Sequence, residues 1–183
     1  PERTMATEIA STAIVSPRAR IAENVSIGPF SIIEDEVEIG AGTRLDSHVV
    51  IKNYTTLGRE NHLHMGVLLG SDPEDKHFQG ARSYLKIGDR NIFREYSTAS
   101  RGTPPESATT IGDDNYIMIG THVAHNGHLG SGFSNGAVFA IERYGNGFNA
   151  RTYAAGSFTQ SGATTVNRVA RLSGTDWQAV GNG

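Results

Sequence analysis

The chain has no cysteine, which excludes disulfides, thiolate metal sites and thiol nucleophiles. Any metal site would have to be built from His, Asp or Glu. No stretch approaches the roughly 18 consecutive apolar residues that a membrane-crossing helix needs, and Pro1 to Met5 is not a charged segment leading into an apolar one. A soluble, cytoplasmic protein without membrane insertion is the expectation. Charge of either sign is also not concentrated: the formal net charge is -3, the pI is near 6.2, and Lys and Arg are scattered. Neither nucleic acid nor an anionic membrane is therefore expected as a partner. Only six prolines accompany 22 glycines in 183 residues, 37% of them apolar. This is a turn-rich globular chain, long enough for one domain with a core.

A repeat of six organises what is present. Stepping by six from Ile9 gives Ile9, Val15, Ile21, Ile27, Ile33, Ile39, Leu45, Ile51, Leu57, Leu63 and Leu69. The residue four beyond each is mostly small or β-branched, as in Ala13, Ala19, Val25, Ser31, Val37, Thr43, Val49 and Thr55. A period of six fits neither a helix at 3.6 nor an unbroken alternating strand. It fits short strands separated by bends, three per triangular coil of about eighteen residues, with coils stacked at the parallel strand spacing. Only residues eighteen apart then stack directly. The comb breaks after Leu69, resumes at Ile87 and Phe93, breaks again, and returns at Ile111, Ile117, Val123 and Leu129. The polar, Pro- and Gly-containing breaks at 71–84 and 101–110 read as loops ejected from a continuing prism. Beyond Leu129 the register meets Asn135, Ile141, Gly147, Tyr153, Thr159, Thr165 and Arg171, so the last third is irregular, phase-shifted or degenerate.

The motifs IGPF (27–30), SHVVIKNYTTLG (47–58), SDPED (71–75), LKIGDRNIFREY (85–96), RGT (101–103) and THVAHNGHLG (121–130) resemble the bacterial UDP-N-acetylglucosamine O-acyltransferases of lipid A biosynthesis. The resemblance runs from about residue 9 to 130. It implies an all-β, left-handed parallel β-helix, a homotrimer with active sites between subunits, and no cofactor or metal. The handedness rests on the resemblance alone, since parallel crossovers are otherwise right-handed in about 98% of cases. The implied domain plan is an extension at 1–8 and one β-helix domain over 9–183, without the family's C-terminal helical domain.

The implied reaction moves a 3-hydroxyacyl chain from acyl carrier protein to the 3-hydroxyl of UDP-N-acetylglucosamine. A sugar hydroxyl needs a positioned base with a pKa near neutrality, a role suited to His. The motif assigns it to His125. The next position, commonly Asp in the family, is Asn126, whose amide can still accept a hydrogen bond from the imidazole but offers it no charge. His122 and Asp75 correspond to substrate contacts. Either Lys76 or His77 takes the place of a family lysine, and Gln160 corresponds to a glutamine of a later motif. The family's Ala-Gly-His segment is replaced by Ala140-Ile-Glu-Arg143.

Plainer readings stand beside these. Asp75 after Pro73 can simply cap a turn. His48, His62, His64 and His128 read as incidental surface or interface residues, and Arg94-Glu95 as a salt-bridged face at a trimer interface. Arg101 could meet a phosphate or an acidic partner. Alternative functions are a degenerate trimeric scaffold without activity, a hexapeptide acyltransferase with another donor or acceptor, or a zinc-binding carbonic-anhydrase-like trimer. The last would need pairing across an interface, because His122, His125 and His128 fall on different faces and cannot hold one ion within a chain.

Overall fold

The structure is a computed structural model describing residues 6–129, 133–134, 138–144, 151–161, 164–173 and 176–180. Its core is a triangular left-handed parallel β-helix. The first face stacks Glu8–Ile9, Ser26–Ile27, Arg44–Leu45, His62–Leu63, Ile92–Phe93 and the start of Tyr116–Val123. The second stacks Ile14–Val15, Ile32–Ile33, Val50–Ile51, Leu68–Ser71, Thr98–Ser100 and the end of Tyr116–Val123. The third stacks Arg20–Ile21, Glu38–Ile39, Thr55–Leu57, Tyr84–Ile87, Ala108–Ile111 and His128–Leu129. All pairings among these are parallel, and in register except for a shift between Leu69 and Ser71 where Leu68–Ser71 meets Thr98–Ser100.

The comb explains this architecture. From Ile27 to Leu129 its aliphatic members are buried, and Ala99 occupies the position between Phe93 and the second break with no exposed surface. Three residues past most comb positions the chain turns the corner in the left-handed backbone region, as at Phe30, Glu36, His48, Tyr54, Arg90 and Asn126, with φ between 54° and 64°. Each such non-glycine residue carries a strain of about 1–2 kcal/mol, which the packed coils above and below impose. Gly66 fills this place where space is tightest, since a Cβ there would lie 2.6 Å from the Tyr96 ring. One residue past the comb, Gly40 lets neighbouring coils meet: its Cβ would sit 2.4 Å from the Gly58 carbonyl carbon.

The position four beyond the comb is also buried, and its small polar side chains link coils. Ser31 Oγ donates to Asp46 O at 3.1 Å and accepts from Val49 N at 3.1 Å. Thr43 Oγ1 bonds Gly58 O and Asn61 N in the same way. Above them Asn61, Asn91 and Asn115 form a buried ladder. The Oδ1 atoms of Asn61 and Asn91 each accept from the next rung's backbone N at 2.9 Å and from its Nδ2 at 3.0 Å.

Both loops leave the corner between the second and third faces, at 72–83 and 101–107. Stacked residues are thirty apart across the first (His62 and Ile92) and twenty-four apart across the second (Ile92 and Tyr116). Both excesses over eighteen are multiples of six, so the comb keeps its register.

The parallel stack does not continue through the last third. Strand Val138–Tyr144 adds one more parallel rung, with Ile141 buried opposite Val123. Arg151–Gly156 then pairs with it antiparallel, followed by Val169–Ser173 and Asp176–Ala179. A separate three-stranded antiparallel sheet joins Phe133–Ser134, Gln160–Ser161 and Thr164–Thr165. The expectation of β-helix coils through residue 183 therefore gives way after residue 144. Gly147, Tyr153, Thr159, Thr165 and Arg171 supply no aliphatic comb, and alternate burial of Thr152 and Ala154 favours an ordinary antiparallel strand. Among the described residues, no helix is long and apolar enough to cross a membrane.

Candidate functional site

The corner that ejects the two loops carries His125 and Asn126 one coil above them. His125 Nδ1 lies 2.9 Å from Thr103 Oγ1, in the second loop, and 3.0 Å from Asn126 Nδ2. Asn126 is the left-handed corner residue, φ 58°, a conformation Asn tolerates better than most non-glycine residues. Its backbone N donates to Thr109 Oγ1 at 2.9 Å, and its Oδ1 accepts from Thr103 N at 3.0 Å. That last bond fixes the amide orientation, because a backbone N–H can only donate. The NH₂ group, itself a donor, therefore faces His125. The expectation that the amide accepts from the imidazole is not met, because its oxygen is already directed at Thr103.

His122 stands on the second face, stacked on Thr98. Its Nδ1 is 2.7 Å from Thr98 Oγ1 and its Nε2 is 3.4 Å from Glu74 Oε2. Glu74 also accepts from Ser100 Oγ at 2.9 Å, and Ser100 Oγ is 3.2 Å from Ser71 Oγ. Glu74 was not singled out from the sequence; its only signal was adjacency to Asp75 in the DPED stretch. Asp75 does cap its turn: Oδ1 accepts from His77 N at 2.9 Å and faces His77 Nδ1 at 3.0 Å. The His77 backbone N–H, then its ring, hold the Asp75 carboxyl below the usual carboxylate range. Lys76 and His77 are both exposed, and His77 is the one joined to Asp75.

Other assignments separate from this corner. Gln160 lies on the three-stranded antiparallel sheet, not on a face of the prism. His128 is exposed on the third face, its Nδ1 2.6 Å from Thr110 Oγ1. Arg101 is held against Asp72 at 2.6 Å and over the Tyr54 and Phe78 rings, leaving 11% of its side chain exposed. Those contacts commit it to bracing the first loop. Ile141, within the 140–143 segment, is buried in the core, while the side chains of Ala140, Glu142 and Arg143 lie outside the described residues.

Two further groups occupy the first face. Arg94 grips Glu95 through two nitrogens, at 2.9 and 3.1 Å, and donates to Tyr116 OH at 2.8 Å. The Arg94 guanidinium holds the Glu95 carboxyl down to about 2. Below this pair, Asp46 meets both His62 and His64, residues taken as incidental from sequence. Burial, then the neighbouring His62, lowers the pKa of His64. Among the described residues, this is the group of three His, Asp or Glu side chains close enough to share an ion; His122, His125 and His128 form no such group.

Comparison with known proteins places this geometry. The bacterial transferase hexapeptide (six repeats) family matches residues 18–53. An acyl-[acyl-carrier-protein]–UDP-N-acetylglucosamine O-acyltransferase of Psychrobacter sp. is 44% identical over 120 residues, covering 65% of this chain and 46% of that protein. The protein of the same name from Thermodesulfovibrio yellowstonii is 42% identical over 125 residues, covering 68% and 48%. The structure of LpxA from Acinetobacter baumannii superposes with a TM-score of 0.63 at 42% identity, over 64% of this chain and 46% of that one. The chain thus spans about half the length of the curated relatives it matches. Over the aligned two thirds of its length, it is a hexapeptide-repeat relative of the acyl-[acyl-carrier-protein]–UDP-N-acetylglucosamine O-acyltransferases.

Proposed function

We propose that this chain transfers a 3-hydroxyacyl group from acyl carrier protein to the 3-hydroxyl of UDP-N-acetylglucosamine, working as a homotrimer with His125 as general base. The observation that carries the reading is the placing of His125 at the corner where both loops leave the prism, joined to Thr103 of the second loop, with His122 joined to Glu74 of the first. His125 Nε2 takes the sugar hydroxyl proton as that oxygen attacks the thioester carbonyl. The tetrahedral adduct then collapses, the carbon–sulfur bond breaks, and the imidazolium returns the proton to the departing thiolate. Asp75, ionised at neutral pH, accepts a hydrogen bond from the sugar, and His122 lines the same approach with Glu74 behind it.

For Nε2 to act as base, the ring proton must sit on Nδ1 and be accepted by a neighbour. Thr103 Oγ1 is the available acceptor, while the Asn126 amide favours the opposite tautomer. That opposition favours a second reading, a scaffold that binds the nucleotide sugar with little turnover. Purified chain should transfer acyl groups from loaded carrier protein, and His125→Ala should reduce the rate roughly 10²–10⁴-fold, the usual share of a general base. UDP-N-acetylglucosamine binding without transfer would support the scaffold, and absence of both would sink the proposal.

A further inference from the structure

We propose that Asp46, His62 and His64 form a binding site for a zinc-class divalent transition-metal ion on the first face of the prism. The fold brings them together by rule. His62 opens the strand His62–Leu63 and His64 follows it directly, its N–H still bonded to Phe93 O at 2.9 Å, so both project from the outer side while Leu63 points into the core. Asp46 is eighteen residues before His64, and so lies directly beneath it one coil down. The paired strands Arg44–Leu45 and His62–Leu63 fix that register.

The donor atoms are already near coordination spacing. His62 Nε2 is 3.2 Å from Asp46 Oδ1, His64 Nδ1 is 3.3 Å from Asp46 Oδ2, and the three donors lie within 4.8 Å of one another. Ligands about 2.0–2.2 Å from a tetrahedral zinc ion stand about 3.3–3.6 Å apart. The imidazoles are in contact, with ring centroids 4.0 Å apart and planes tilted by 30°. The three side chains are 23–30% exposed, so an ion would be shielded yet reachable.

Two imidazoles and one carboxylate suit zinc, cobalt or iron(II), and three protein ligands leave a position for water or a fourth donor. Glu95 Oε1, 3.8 Å from His64 Nδ1, is held by Arg94 at 3.1 Å, which leaves that position to water. Two cations oppose an ion here. Arg44 Nε is 3.3 Å from Asp46 Oδ1, but its side chain is 67% exposed and can turn into solvent. Arg94 is already committed to Glu95 and Tyr116. A bound ion would tie the coil containing 44–46 to the one containing 62–64.

The test uses tag-free full chain stripped with chelator and titrated with Co²⁺, followed by the visible d–d bands and by competition with Zn²⁺. The expected result is one ion per chain, displaced by zinc, with affinity lowered at least tenfold in Asp46→Asn, His62→Gln and His64→Gln. His128→Gln, an exposed histidine away from the cluster, should bind as the wild type does. Circular dichroism confirms that each variant keeps the strand signature, and a rise in wild-type melting temperature with zinc, absent in His64→Gln, gives a second readout. Non-saturating binding, or binding equal in the wild type and the three variants, would overturn the proposal.

Discussion

The amide of Asn126 has more influence on chemistry than its small size suggests. With its oxygen directed at Thr103 N, it points a donor at the His125 nitrogen that must itself donate. Asn126→Asp would present a second oxygen to the ring, favour the basic tautomer and stabilise the imidazolium. We expect transfer to rise between about ten- and 10⁴-fold, the upper figure being the loss when the equivalent change disables a serine-protease triad; an unchanged rate would remove the tautomer argument. Glu95 permits a pH prediction. Its folded pKa is depressed, so the stability from its pairing with Arg94 is complete above its ordinary 4.5 and is lost as pH falls towards about 2. Melting in the presence of chelator should show Glu95→Gln less stable than wild type at pH 7, with the difference shrinking below about pH 4.5 and gone near pH 2. The sequence made His125 and His122 legible through their motif. It also held the spacing that stacks Asp46 under His64, but a residue pair eighteen apart carries no meaning until the coil is known to close at eighteen at that point.

At the scale of elements, the asparagine ladder shows how the coils hold one another. Asn91 Oδ1 accepts both the backbone N and the Nδ2 of Asn115, whereas Asn115 Oδ1 has no hydrogen-bond partner among the described residues. Asn91→Ala would leave the buried Asn115 backbone donor unpaired, at a cost of roughly 1–3 kcal/mol. Asn115→Ala, which retains its own N–H bond to Asn91, should cost less, and urea unfolding midpoints of the two variants test that order. The comb and its small companions were plain in the sequence, while this ladder was not. Its rungs are thirty and twenty-four residues apart because two loops intervene, so no fixed-period search aligns them. The second loop also ends at 107, before the expected 110, because Ala108–Ile111 pairs with Tyr84–Ile87 over four residues. Strand pairing there overrides a local composition of Ser, Thr and Pro.

For the whole molecule, the excess length of both insertions in sixes makes a direct prediction. Removing residues 72–83 restores an eighteen-residue spacing between His62 and Ile92, so the variant should fold with unchanged strand content by circular dichroism while losing transfer, since Asp75 goes with the loop. Removing eleven residues instead would shift every later comb residue by one, turning core side chains outward, and should abolish folding. A folded eleven-residue deletion would show that the comb does not set the register. Fold class and loop positions were readable because one physical pattern, an aliphatic every six residues, recurs through most of the chain. Handedness was not, because the same pattern would fill a prism wound either way. The last third was not either, because its strands answer to alternation over a few residues. Those strands bring a change of polarity. Every rung of the second face up to 144 runs the same way, so each leaves an edge that the next can copy. Arg151–Gly156 runs against it and offers its donors and acceptors in the antiparallel order. On this face the parallel stack thus ends under strands that alternate in direction, Arg151–Gly156, Val169–Ser173 and Asp176–Ala179.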